Sequence, residues 1–71
     1  MIELTTGYIN ATSPKFLINP QHIIYIQSCK HENASYKDVN SYVKYYGGAE
    51  NQVVYVQETY EEIKRLIECS R

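Results

Sequence analysis

Tryptophan is absent, glycine occurs three times, proline and cysteine twice each, and neither charge sign is in excess. Each shortage removes a class of protein. Seven Lys and Arg face eight Asp and Glu, for a net charge of −1, and no block of five or six like charges occurs. That balance argues against the broad basic footprint of a nucleic-acid binder. Cys29 and Cys69 form no CxxC pair, and with His22 and His31 they are too few and too scattered for a tetrahedral zinc site. Neither a metal, a cofactor nor a structural disulfide is expected. Long hydrophobic runs are missing too: no apolar stretch exceeds the four residues of Ile23-Ile24-Tyr25-Ile26, far short of the roughly 20 residues that cross a bilayer. Met1-Ile2-Glu3-Leu4 has no basic region leading into an apolar run, so no secretory signal is read and no membrane insertion is expected. The expected location is the cytoplasm. On that reading the sequons Asn10-Ala11-Thr12 and Asn33-Ala34-Ser35 are turn-forming polar stretches. At 71 residues, one small core must carry the fold, and a partner subunit would add useful burial.

What the chain does have is tyrosine. Eight of its nine aromatic residues are Tyr, against one Phe. Their destination depends on the elements that carry them.

Ile2 and Leu4 alternate with Glu3 and Thr5, the period-two mark of a half-buried strand over residues 1–6. Gly7 to Pro14 is turn-rich, and Lys15-Phe16-Leu17-Ile18 predicts a second strand near 15–19, closed by Asn19-Pro20. The two read as a hairpin. Residues 22–28 are rich in β-branched and aromatic side chains and predict a third strand. Strict alternation would put Ile24 and Ile26 on one face and Ile23 and Tyr25 on the other. With both faces apolar, a helix would cover one side, and tyrosines or a neighbouring subunit the other. Residues 29–38 show neither period and predict an exposed loop.

A fourth strand is expected over 39–46, with Val39, Ser41, Val43 and Tyr45 on one face and Asn40, Tyr42, Lys44 and Tyr46 on a wetter one. Gly47-Gly48-Ala49-Glu50-Asn51 supplies a hairpin turn to a fifth strand at 52–57. Thr59 followed by Glu62 is a capping box opening a helix near 60–69. Within that helix Tyr60, Ile63, Leu66 and Ile67 form an apolar stripe. The expected fold is therefore α+β: a mainly antiparallel sheet of four or five strands with one C-terminal helix packed on it, in a single domain. Its expected core comprises Ile2, Leu4, Phe16, Ile18, Ile24, Ile26, Val43, Val54, Val56, Ile63, Leu66 and Ile67.

Catalytic patterns are weak. Cys29 beside Lys30 and His31 could carry a slightly acidified thiol, but no strand-turn-helix signature surrounds it, and a small residue at a loop edge is the preferred reading. Glu61 and Glu62 are adjacent, hence roughly 100° apart around a helix, and suit the helix start rather than a shared reacting group. Gly47-Gly48 lacks the Lys and Ser/Thr of a phosphate loop and precedes a strand. No enzyme is expected. The tyrosines point instead to a surface: Tyr25, Tyr42, Lys44, Tyr46 and Tyr55 are the candidate interaction residues. Tyrosine carries an apolar body with a polar tip, the composition of a protein–protein or self-association surface. Tyr and Lys on one strand face, with Lys30 and Lys37 nearby, would also suit stacking of single-stranded bases. Without a basic excess, the protein interface is preferred.

Three segments carry a family resemblance. They are Met1-Ile2-Glu3-Leu4-Thr5; residues 15–26, from Lys15-Phe16-Leu17-Ile18-Asn19-Pro20 to Ile23-Ile24-Tyr25-Ile26; and Val53-Val54-Tyr55-Val56-Gln57-Glu58-Thr59-Tyr60-Glu61-Glu62-Ile63. In these the chain resembles the FlbD/SwrD family of very small bacterial proteins encoded with flagellar and swarming-motility genes. The segments cover a little under half of the chain, with Thr59 where the family usually has Ser. Residues 7–14 and 29–38 look longer than the family's loops, and 47–51 replaces its usual Asn-Gly type turn. The resemblance implies a non-catalytic accessory or interaction protein and supplies no catalytic residues. Homo-oligomerisation through a sheet edge or face is expected on separate grounds, because open sheet edges are templates for pairing and a short chain benefits from added burial.

Overall fold

The computed structural model describes residues 1–70. It is an α+β fold with five strands, all paired antiparallel, and one C-terminal helix. The strands are β1 (Ile2–Thr5), β2 (Lys15–Ile18), β3 (Ile23–His31), β4 (Val39–Gly47) and β5 (Glu50–Val56), and α1 is Tyr60–Cys69. They divide between two sheets, a β1-β2 hairpin and a three-stranded sheet in the order β3-β4-β5, where one continuous sheet was expected. The division comes just after β1. Thr6 still bridges Val56, Gln57 N–H donates to Thr5 O at 2.8 Å and Gly7 N–H to Tyr55 O at 2.9 Å. Beyond that short seam the chain leaves β5, and the hairpin folds its apolar side onto the larger sheet.

Alternation dictates that packing. Ile2 and Leu4 point inward from β1, facing Ile18 and Phe16 across the hairpin, while Glu3 and Leu17 point out. Ile2, Leu4 and Ile18 join Val43, Val56 and Ile63 in one core, with Phe16, Ile23, Ile26, Tyr45, Val54 and Ile67 packed around it. Val39 and Ser41 are also buried, and the Ser41 hydroxyl donates to the Glu58 carbonyl. A buried hydroxyl left without a partner would cost about 1–3 kcal/mol, so this bond accounts for a serine inside the fold.

Two expected core residues lie at the surface. Ile24 is 49% exposed because the β3-β4 register shifts between Ile23 and Tyr25. The bulge puts Ile23 with Ile26 on the core face and turns Ile24 outward, reversing the strict alternation read from sequence. Leu66 is 37% exposed: only Ile63 of the helical stripe is buried, with Ile67 half-buried beside it. A ten-residue helix over a narrow sheet has room to seat little more than one turn. The expected loop at 29–38 also starts late, since Cys29, Lys30 and His31 continue β3, whereas His22 belongs to a 3₁₀ turn over Pro20–His22 capped by Asn19.

The helix start is chemically closed. Glu62 N–H donates to Thr59 Oγ1 at 3.2 Å, and Glu62 Oε1 accepts from Thr59 N–H at 3.3 Å. Two otherwise unsatisfied amides are thereby paired. Glu58, just before the cap, takes Thr5 N–H on both carboxylate oxygens at 2.8 and 3.0 Å, tying the end of β1 to the entry of α1.

Candidate interaction surface

On β4 the residues that alternate with Val39, Ser41, Val43 and Tyr45 are Asn40, Tyr42, Lys44 and Tyr46. The register pairs Tyr42 with Gln27 of β3 and Tyr55 of β5, and Lys44 with Tyr25 and Val53. Tyr25, Tyr42, Lys44 and Tyr55 therefore share the face turned away from the core. Tyr25 and Tyr42 meet edge-to-face at 6.0 Å between ring centroids, Tyr42 and Tyr55 lie 6.1 Å apart, and Lys44 Nζ stands 5.6 Å from the Tyr25 centroid. The Tyr42 hydroxyl donates to Gln27 Oε1. Tyr46, the remaining candidate, is 56% exposed at the far end of β4, opposite Asn51 and outside this row of rings.

The row continues through residues that spacing alone did not select. His31 stacks on Tyr55 at 4.6 Å and 17° between planes, and Tyr36 meets His31 at 5.0 Å and Tyr55 at 5.2 Å. Tyr8 then lies 5.5 Å from Tyr36. One connected aromatic row thus runs Tyr8, Tyr36, His31, Tyr55, Tyr42, Tyr25, using five of the eight tyrosines.

Local backbone chemistry brings the loop rings in. Asn33 Oδ1 accepts from the amides of Ser35 at 2.7 Å and Tyr36 at 3.1 Å, a side-chain turn that swings Tyr36 back toward the sheet. The segment after β1 is held between that loop and β5: Lys37 N–H donates to Gly7 O at 2.9 Å and Ile9 N–H to Ser35 O at 2.8 Å. Gly7 is essential to this crossing, because a Cβ there would come within 2.4 Å of Val39 Cγ2 and 3.2 Å of Lys37 O. The turn signal of the sequon Asn33-Ala34-Ser35 was visible in the sequence; that it delivers a tyrosine to the sheet was not.

The face is aromatic, with the Lys44 ammonium as a cation beside its rings. The Tyr25 phenol beside Tyr42 pushes the Tyr42 hydroxyl above the ordinary phenol value, with further upward contributions from desolvation and from Tyr25, Cys29 and Tyr55 as neighbouring acids. Tyr42 therefore presents a protonated hydroxyl at neutral pH. Desolvation likewise raises the Cys29 thiol, opposite in direction to the acidification that neighbouring Lys30 and His31 would produce. A nucleophilic thiolate is disfavoured there. Among the described residues no group of three or more His, Cys, Asp or Glu is placed to hold a metal ion, and no helix is long and apolar enough to cross a membrane.

Each phenol ring in the row offers an apolar body and a hydroxyl, so the surface can stack against flat or aliphatic groups and exchange hydrogen bonds at its rim. No protein-family model matches the chain, and no curated protein or solved structure is significantly similar to it.

Proposed function

We propose that the protein is a non-catalytic binding module that acts through protein–protein contacts on its tyrosine face, and that it also self-associates. The observation carrying this reading is the connected row from Tyr8 to Tyr25 on the sheet face opposite the core. Rings already packed against one another lose little conformational freedom on binding, which favours tyrosine-rich contact surfaces. The net charge of −1 supports a protein partner over a polyanion. The resemblance to the FlbD/SwrD family supports an accessory, non-enzymatic role in motility for this module, and the cytoplasm is its proposed location.

The test is capture from host lysate with wild-type protein and with Tyr42→Ala. A partner held by the wild type and lost from the variant supports the tyrosine face; equal recovery by both removes it. A second reading, single-stranded nucleic-acid binding, draws on Lys44 above Tyr25 and on Lys30, whose ammonium donates to Asn40 at the rim. It predicts a salt-sensitive change in tyrosine fluorescence on adding single-stranded DNA or RNA. An unchanged signal at low salt removes that reading.

A further inference from the structure

We propose that the outer edge of β3 receives a second copy of this chain, joining two three-stranded sheets into one continuous antiparallel sheet about a two-fold axis. This rests on and deepens the self-association put forward above by naming its surface, a strand edge that adjoins the tyrosine face at Tyr25 and lies away from Tyr55.

The sheet order leaves β3 at an edge, and β3 is nine residues long. Among the described residues, backbone hydrogen bonds from Ile24 to His31 run only to β4. The other edges offer less: the end of β5 is covered by Thr5–Gly7, and β2 has four residues. Edge strands are usually blunted by proline, charge, bulges or a covering element. β3 contains no proline, and its one full charge, Lys30, is drawn toward Asn40. The register shifts fall near its ends, leaving Tyr25 to Ser28 in regular pairing with β4. That middle stretch can template a further strand.

The ground beside the edge suits the same occupant. A groove of about 410 Å³ separates β3 from α1, walled by Ile23, Ile24, Tyr25, Ile26, Tyr60 and Ile67, with Lys64 and Glu68 on its helical side. Ile24 and Tyr60 are 49% and 39% exposed there. The two charges are opposite and one helical turn apart, so the wall is electrically self-complementary. A two-fold rotation can set Lys64 against the partner's Glu68 and repeat the pair on the other side. A strongly charged partner finds no such match.

The area is adequate as well. A nine-residue strand is about 30 Å long. With the shortest dimension of the molecule at 20 Å, an edge-on contact covers on the order of 600 Å² in projection, close to the ~800 Å² per partner of a stable interface.

Sedimentation equilibrium over a concentration series tests the proposal, with circular dichroism to verify folding. The wild type is expected to dimerise, and Ile24→Lys to weaken the dimer at least roughly tenfold while remaining folded, because Ile24 packs outside the core. Lys64→Glu and Glu68→Lys, both on exposed helix positions, are each expected to weaken it several-fold, and the double exchange K64E/E68K to restore it. Tyr55→Ala is expected to leave the dimer unchanged. A wild type that stays monomeric at every concentration overturns the proposal, as does a dimer indifferent to Ile24→Lys and to both charge reversals. Loss of the dimer in Tyr55→Ala alone overturns it too, since the copies would then meet through the tyrosine face; capture of a partner through Tyr42 is independent of either result.

Discussion

The two faces of β4 are built from one alternating run, yet they are finished differently. Val43 is fully buried under Leu4, Ile18 and Ile63, supplied by the hairpin and the helix. Tyr42, its neighbour, packs against Tyr25 and Tyr55, donates to Gln27 and faces away from the core. Both faces are largely carbon, but one is aliphatic and covered whereas the other is phenolic and open. An aliphatic surface of that size left open would be a liability; tyrosine hydroxyls let a ring-lined surface meet water and still offer apolar area to a partner. On the proposed reading, changes on the covered face should act on folding, and changes on the open face on binding.

The largest loss of stability is expected from Ile63→Ala. Ile63 is fully buried at the centre of the core, and removing its side chain should cost about 2–5 kcal/mol, measured by urea unfolding. For a chain of this size that is a large part of its total stability. Gly7→Ala comes next, at about 1–3 kcal/mol, because its methyl group must displace Val39. This variant also tests how the faces communicate: if Gly7 shifts, Tyr8 should leave Tyr36, and near-ultraviolet circular dichroism of the tyrosines should weaken with it. Tyr55→Ala removes the ring that joins His31, Tyr36 and Tyr42, yet should cost only about 1 kcal/mol in unfolding, since these ring pairs are half-exposed. Partner capture, in contrast, should be lost. A Tyr55→Ala cost as large as that of Ile63→Ala would make the tyrosine face a second core rather than a contact surface.

Most of the covered face was legible in the sequence. Period-two alternation identified Ile2, Leu4, Val43 and Val56, and Thr59 with Glu62 marked the helix start, because local chemistry decides each of these. Ile24 was misplaced because a bulge is a tertiary compromise: one extra residue in β3 lets Ile23 and Ile26 both reach the core. The split into two sheets was equally hidden, since it depends on how far the chain follows β5 beyond Thr6 before turning. The open face was half legible. Tyr42, Lys44 and Tyr55 follow from strand spacing, and Tyr25 joins them because the bulge resets its register. Tyr8, Tyr36 and His31 come from three separate segments, and the hydrogen bonds at Asn33 and Gly7 that gather them have no periodic signature.

The smallest expected effect is on titration, and it separates the two faces without damaging either. Tyr42 has its hydroxyl raised above the ordinary value of 10.0 by Tyr25 first, then by desolvation and neighbouring groups. The native state therefore keeps this proton at a pH where the unfolded chain has begun to lose it. Its contribution to stability is complete below pH 10 and declines as pH rises through the higher native value. Because Tyr42 is on the open face, the change in unfolding free energy should be slight, but the phenolate absorbance of the folded protein should contain a late component from Tyr42. In Tyr25→Phe that late component should move back toward 10.0, since the principal cause is gone while the ring packing is kept. A late component unaltered in Tyr25→Phe and abolished in Tyr45→Phe would transfer the perturbation to the core-facing side of the same strand, where Tyr45 donates to Gln52 at 3.1 Å.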